Sequence, residues 1–135
     1  MRGGPPTRRT AGLILAGGEG RRWGRPKAWA TLPDGRTFLE ACAGLLRAAG
    51  VDVLAATLPP GSAGEVPRGV VPVVLPAPGL DMFASTRLGL ARLLEEGWSV
   101  VAVLPVDHPL VLPSSVAALL AVDAPAVVPT LAGRH

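Results

Sequence analysis

Tyrosine is absent from this chain, and phenylalanine and tryptophan contribute only two and three residues. A platform that stacks single-stranded bases needs more aromatic faces than that, so no specific nucleic-acid partner is expected. The single cysteine, Cys42, excludes an intrachain disulfide and a cysteine-rich metal site. It falls in a predicted helix and reads as a small core residue, not a nucleophile. No stretch approaches the ~20 apolar residues of a membrane span. Arg8-Arg9 precede an apolar run in the manner of an export signal, but only about six residues follow before Gly17, too short for a signal segment. The expectation is a cytoplasmic protein with no membrane partner. Residues 1–10 form a flexible basic tail and residues 11–135 a single domain.

Lysine is also nearly absent. Lys27 is the only one among 13 lysines and arginines, and the formal net charge is +3. Much of the positive excess lies in Arg2, Arg8, Arg9 and the stretch from Arg21 to Lys27, which suits an anionic ligand. Hydrophobic residues make up 49% of the 135, so the composition supports a folded domain that buries roughly two-thirds of its unfolded surface.

Apolar runs bounded by glycine and proline set the strands at 11–16, 51–57, 70–75 and 100–104, with a fifth beginning at 126–128. Pro72 places the third at a sheet edge or a strand start. Thr37-Phe38-Leu39-Glu40 has the pattern of a capping box, and the helix it opens runs to about Ala49, with Gly50 as its stop. Its inner side carries Phe38, Leu39, Cys42, Leu45 and Leu46. A second helix covers about 82–96, with Leu88, Ala91 and Leu93 or Leu94 facing inward. A third runs from Pro113 to near Val122. Continuously apolar strands alternating with helices predict an α/β fold with a mainly parallel sheet. Right-handed crossovers then bring the strand C-terminal ends, and the loops after the first and fourth strands, to one edge, where open α/β sheets bind ligands.

The most informative segment follows the first strand: Leu15-Ala16-Gly17-Gly18-Glu19-Gly20-Arg21-Arg22-Trp23-Gly24-Arg25-Pro26-Lys27. A buried strand that empties into a glycine-rich, cationic loop brings backbone N–H groups close to phosphate. Glycine lets that backbone approach where a side chain would hold the ligand off. The one retained lysine supplies a compact, mobile charge that a planar guanidinium does not copy. A P-loop is excluded by spacing, since Gly24 and Lys27 are not adjacent and Ala28 stands where a magnesium-binding hydroxyl belongs. The dinucleotide fingerprint fails as well, because Trp23 occupies its third glycine.

Two further segments carry chemistry. Leu104-Pro105-Val106-Asp107-His108-Pro109 follows the fourth strand. There Asp107 offers a rigidly held carboxylate for Mg²⁺, an ion that takes few protein ligands and the rest from phosphate and water; a helix-capping or turn role is the alternative. His108 packs or meets solvent, with a second metal ligand as the alternative. Gly79 to Leu90 enters the second helix, with Ser85 and nearby amides as hydrogen-bond donors at a helix start.

The glycine loop resembles that of the nucleotidyltransferases that activate molybdopterin, the molybdenum cofactor guanylyl- and cytidylyltransferases. Their pattern is Leu-Ala-Gly/Ala-Gly-x-Ser-x-Arg-Met-Gly-x-x-Lys. Leu15, Ala16, Gly17, Gly18, Arg22, Gly24 and Lys27 match in register, while Gly20 replaces the serine and Trp23 the methionine. Asp107-His108-Pro109 is similar to the family's Asp-x-Pro magnesium motif. The segment around Ser85 is similar to the one that lies against the nucleotide. The resemblance implies a Rossmann-like sheet of the nucleotide-diphospho-sugar transferase type, with the family's C-terminal part missing. It implies transfer of a nucleoside monophosphate from CTP or GTP to a phosphorylated acceptor, molybdopterin first, with release of pyrophosphate. Lys27 and Arg22 are its catalytic residues. Leu15, Ala16, Gly17, Gly18, Gly20, Arg22, Gly24, Lys27 and Ser85 bind nucleotide, and Asp107 holds Mg²⁺. The absent Gly-Pro-Leu-Ala-Gly string and the Pro26-Lys27 pair lean towards CTP. An inactive nucleotide-binding remnant and a sugar-phosphate nucleotidyltransferase are the alternatives.

Overall fold

Four apolar stretches pair in parallel in the computed structural model, which describes residues 10–17, 27–62, 66–77, 79–98 and 100–121, with Lys27 described by its backbone alone. They are β1 (Thr10–Leu15), β2 (Val53–Leu58), β3 (Val70–Val74) and β4 (Val100–Pro105), in the order β3-β2-β1-β4. Three α-helices accompany them: α1 (Phe38–Ala48), α2 (Met82–Glu95) and α3 (Pro113–Leu120). A 3-10 helix spans Lys27–Trp29. Among the described residues no helix is long and apolar enough to cross a membrane. The predicted strand at 126–128 lies outside the described residues.

Central β1 is buried on both faces, as its unbroken apolar run requires. Ile14 and Ala16 face the layer that holds Leu39, Cys42 and Leu46 of α1 and Val116 of α3. Ala11 and Leu13 face the opposite layer, against Leu93 of α2. Glycine is needed where the layers approach most closely. A Cβ on Gly12 would lie 2.9 Å from Leu46 Cδ1, and one on Gly89 would lie 2.7 Å from both Leu13 methyls.

The helix starts follow from local chemistry. Thr37 Oγ1 accepts from the Glu40 N–H at 3.0 Å, and Glu40 Oε1 accepts from the Thr37 N–H at 2.8 Å, so both arms of the capping box form. Gly50 ends the segment with φ +99°, a left-handed conformation that suits glycine. Asp81 caps α2 by accepting from the Ala84 N–H at 2.7 Å.

Pro72 lies on β3, an edge strand, as expected. The Leu75 N–H donates to Leu58 C=O, and the two-residue repeat of the ladder then turns the nitrogen of residue 72 away from β2. The missing N–H therefore costs no ladder bond.

Two expectations need correction. Thr10, assigned to the flexible tail, begins β1, and its N–H and hydroxyl both donate to Asp52 Oδ2 at 2.9 and 3.1 Å. The inner face of α2 is Ser85, Gly89 and Leu93, whereas Leu88, Ala91 and Leu94 are exposed. Closest approach is set by Gly89 over Leu13, which leaves Leu88 and Leu94 on the exposed side and Leu90 at the flank of the layer.

The chain runs from β1 outward through β2 to β3, then crosses back to place β4 on the other side of β1. The α1 and α2 crossovers lie on opposite faces, as right-handed connections in opposite directions require. The strand order thus reverses between β1 and β4, which is where a crevice opens beyond the strand C-termini in such sheets.

Candidate functional site

The hydrogen-bond ladder shows how β1 leaves its neighbours at that reversal. Leu15 C=O still accepts from the Val106 N–H at 3.1 Å, and the Ala16 N–H still donates to Thr57 C=O at 3.0 Å. Both sides then stop. The next bond on the β2 side would run from residue 59 to Ala16 C=O, but residue 59 is proline and has no N–H. On the β4 side the next pair would join Gly17 to Val106 C=O and to the His108 N–H. The Val106 carbonyl instead accepts from Cys42 Sγ at 3.6 Å, and the His108 N–H turns back to Pro105 C=O at 3.2 Å. Gly17 therefore enters the crevice with no bond to β4.

Gly17 is held close to the sheet end from one side. A Cβ there would lie 2.3 Å from Leu75 Cδ1 and 3.3 Å from its Cγ. Leu75 is 3% exposed and its N–H is bonded to β2, so it has little room to swing aside. Any side chain at position 17 forces a displacement.

Helix α2 runs antiparallel to β1, so its residues four apart meet β1 residues two apart. Leu93 packs with Ala11 and Leu13, and Gly89 sits on Leu13. One turn earlier, Ser85 stands at the C-terminal end of β1, buried at 6% exposure. Two of the helix-start amides are already committed, since those of Ala84 and Ser85 donate to Asp81. The expected amide donors of that turn reduce to Met82 and Phe83, beside the Ser85 hydroxyl.

Asp107 lies one residue past the Val106–Leu15 bond, on the turn that closes β4. Its side chain is 46% exposed, and Oδ1 lies 3.6 Å from His108 Nε2. Burial, and secondarily the Asp107 charge, push the Cys42 thiol up to about 12. That keeps the thiol protonated at neutral pH, as expected of a core cysteine and unlike a nucleophile. Among the described residues no three His, Cys, Asp or Glu side chains gather as a metal-binding group. A half-exposed carboxylate on a turn at the sheet end fits a hard divalent cation that takes most of its ligands from phosphate and water.

Of the expected site residues, Leu15, Ala16, Gly17, Ser85 and Asp107 thus meet at one sheet end. Lys27 begins the 3-10 helix, whose Ala28 is buried in the α1 layer, and Ala30 C=O just beyond accepts from the Phe38 N–H at 2.8 Å where α1 starts. Gly18, Gly20, Arg22 and Gly24 lie outside the described residues. Sequence reasoning missed Thr57, Pro59 and Leu75. The polar residue closing the apolar run 53–56 was the available signal for the first, and nothing in the sequence pointed to the last.

Residues 12–135 match the model of the MobA-like NTP transferase domain. Proteins named probable molybdenum cofactor guanylyltransferase, from Mycobacterium bovis and Mycobacterium tuberculosis, are 43% identical over 109 residues, covering 78% of this chain and 52% of theirs. The chain therefore spans about half the length of the curated relatives it matches. Among solved structures, Rv0371c from M. tuberculosis superposes with a TM-score of 0.71 at 28% identity, covering 86% of this chain and 61% of that one. A manganese complex of the same protein superposes at 0.65 and 26%, covering 83% and 58%.

Proposed function

Because this chain belongs to the MobA-like NTP transferase domain family, we propose that it forms the nucleotide-binding part of a nucleotidyltransferase acting in the cytoplasm. The nucleotide is GTP and the acceptor molybdopterin, as the names of the 43%-identical relatives suggest. CTP, favoured by the loop sequence, is the second nucleotide to test. The observation that carries the reading is the parting of β1 and β4 at Gly17, with Asp107 one residue beyond their last bond.

In this reading an oxygen of the acceptor phosphate attacks the α-phosphorus of the triphosphate. A new phosphorus–oxygen bond forms, the bond to the β-phosphate oxygen breaks, and pyrophosphate leaves. The protein contributes position and charge, since phosphoryl transfer asks for little covalent help. The Gly17 and Gly18 amides face phosphate oxygens. Arg22 and Lys27 offset triphosphate charge, and Ser85 contacts the nucleotide from the α2 side. Asp107 would hold a divalent ion, Mg²⁺ or Mn²⁺, which when bound neutralises charge on the phosphates. The manganese complex of Rv0371c supports a divalent ion in this reading.

Calorimetry with Mg–GTP and Mg–CTP tests the binding half, and pyrophosphate release in the presence of molybdopterin tests the transfer. GTP binding with pyrophosphate release supports the reading. Preference for CTP moves the chain to the cytidylyl side. Absence of binding by either nucleotide overturns it.

A further inference from the structure

The described residues bury three polar side chains, Thr57, Ser62 and Ser85. Ser62 serves its own loop by donating to Pro59 C=O at 2.7 Å. Thr57 is fully buried in the α2 layer of an otherwise apolar strand, and its Oγ1 accepts from the Ala16 N–H at 3.2 Å, 41 residues away. That amide already has a backbone acceptor, Thr57 C=O at 3.0 Å. Satisfying the buried N–H does not require the hydroxyl, so its consequence is directional.

Where this second acceptor sits gives it a purpose. Because Pro59 ends the ladder, the Ala16 N–H is the last tie between β1 and β2 before the glycine loop. A strand end held by one bond frays, whereas an N–H held between a carbonyl and a hydroxyl of the same residue is fixed in direction. The next amide is that of Gly17, whose would-be Cβ lies 3.8 Å from the same Oγ1.

We propose that Thr57 is a positioning residue of the nucleotide site: its buried hydroxyl locks the Ala16 N–H into the sheet, so that Gly17 offers the first amide to the triphosphate. The proposal rests on the nucleotidyltransferase reading. Thr57 touches neither nucleotide nor acceptor and acts through Ala16 and Gly17.

The test uses the full chain, with Mg–GTP and Mg–CTP as probes, calorimetry for affinity and ¹H–¹⁵N spectra for the amides. Thr57→Val keeps the shape and removes the acceptor. It should weaken nucleotide binding by about fivefold, the worth of one net hydrogen bond. The Ala16 amide proton should shift upfield and exchange faster. Thr57→Ser restores the hydroxyl and should recover both readouts. A T57V chain with wild-type affinity and an unmoved Ala16 resonance overturns the proposal. So does a T57S chain as impaired as T57V, which would assign the effect to methyl packing. A fast-exchanging Ala16 amide in the wild-type chain overturns it without any variant. If the wild-type chain responds to neither nucleotide, the functional reading falls and takes this proposal with it. A wild-type response with T57V unchanged removes this proposal alone.

Discussion

The Cys42 thiol lies 3.6 Å from the Val106 carbonyl, the group that would otherwise pair with Gly17. This contact ties α1 to the turn that presents Asp107. The thiol is raised from its ordinary value of 9.0 to about 12, chiefly by burial and then by the Asp107 charge. Below 9.0 the folded and unfolded chains both keep the proton. Between 9.0 and about 12 the unfolded chain loses it while the folded chain retains it, so stability falls as pH rises through that window. Urea midpoints of wild type and Cys42→Ala, measured just below and well above pH 9.0, should show a steeper alkaline loss in the wild type. Equal slopes would place the thiol outside the buried layer. Alkylating reagents should leave Cys42 untouched in the native chain at neutral pH and label it after unfolding.

Gly17→Ala should cost about 1–3 kcal/mol of stability, because the new Cβ meets a buried leucine that is packed in place. Nucleotide affinity should fall by about tenfold as the Gly17 amide moves off line, the order of one hydrogen bond to a charged group. Leu75→Ala in the same chain opens the space, and the stability loss of the pair should be smaller than the sum of the two singles. Strict additivity in a denaturation cycle would mean that Gly17 and Leu75 do not touch.

The strands were legible because four apolar runs end at glycine or proline, and α1 because its capping residues stand at the right spacing. The α2 face was misread because leucines at 88, 90, 93 and 94 surround the helix, so hydrophobic periodicity does not choose a side. Gly89 chooses it, through a backbone approach that composition cannot express. In the candidate site, Leu15 to Gly17 and Asp107 were visible as a strand exit and a turn carboxylate. The Thr57–Ala16 bond was not, since it depends on parallel register across 41 residues. Nor does the apolar run at 51–57 reveal that Pro59, which has no N–H, stops the β1–β2 ladder just beyond it.

That corrected α2 face gives a direct stability test. Leu93 is 1% exposed and Leu94 is 66% exposed. Leu93→Ala should cost about 2–5 kcal/mol, a large-to-small change in a packed layer. Leu94→Ser should stay within about 0.5 kcal/mol of wild type, as surface substitutions do. Chemical denaturation of the two variants reads the difference, and similar losses for both would mean that the helix is rotated from the position described.

Asp107 decides whether the site is a metal–nucleotide site at all. The carboxylate is half-exposed, and among the described residues no group of three metal-ligating side chains surrounds it. One carboxylate holds Mg²⁺ loosely, because the ion sheds water reluctantly and relies on substrate phosphates. Mg²⁺ alone should therefore bind the chain weakly, and Mg–GTP more tightly than either component. Asp107→Asn keeps the size of the side chain and removes its charge. It should abolish the gain in GTP affinity on adding Mg²⁺ or Mn²⁺, a loss of about tenfold or more for one charged partner. Metal-free GTP should bind the variant no worse than wild type, since a carboxylate beside unneutralised phosphates only repels them. With the charge gone, the Cys42 thiol should also titrate somewhat lower, because one of its two causes of elevation is removed. Calorimetry with and without metal reads the first effects and alkaline thiol absorbance the last. A metal-induced gain that survives in D107N would move the cation to other ligands, while a Cys42 titration unchanged by the substitution would separate the carboxylate from the turn where it is placed.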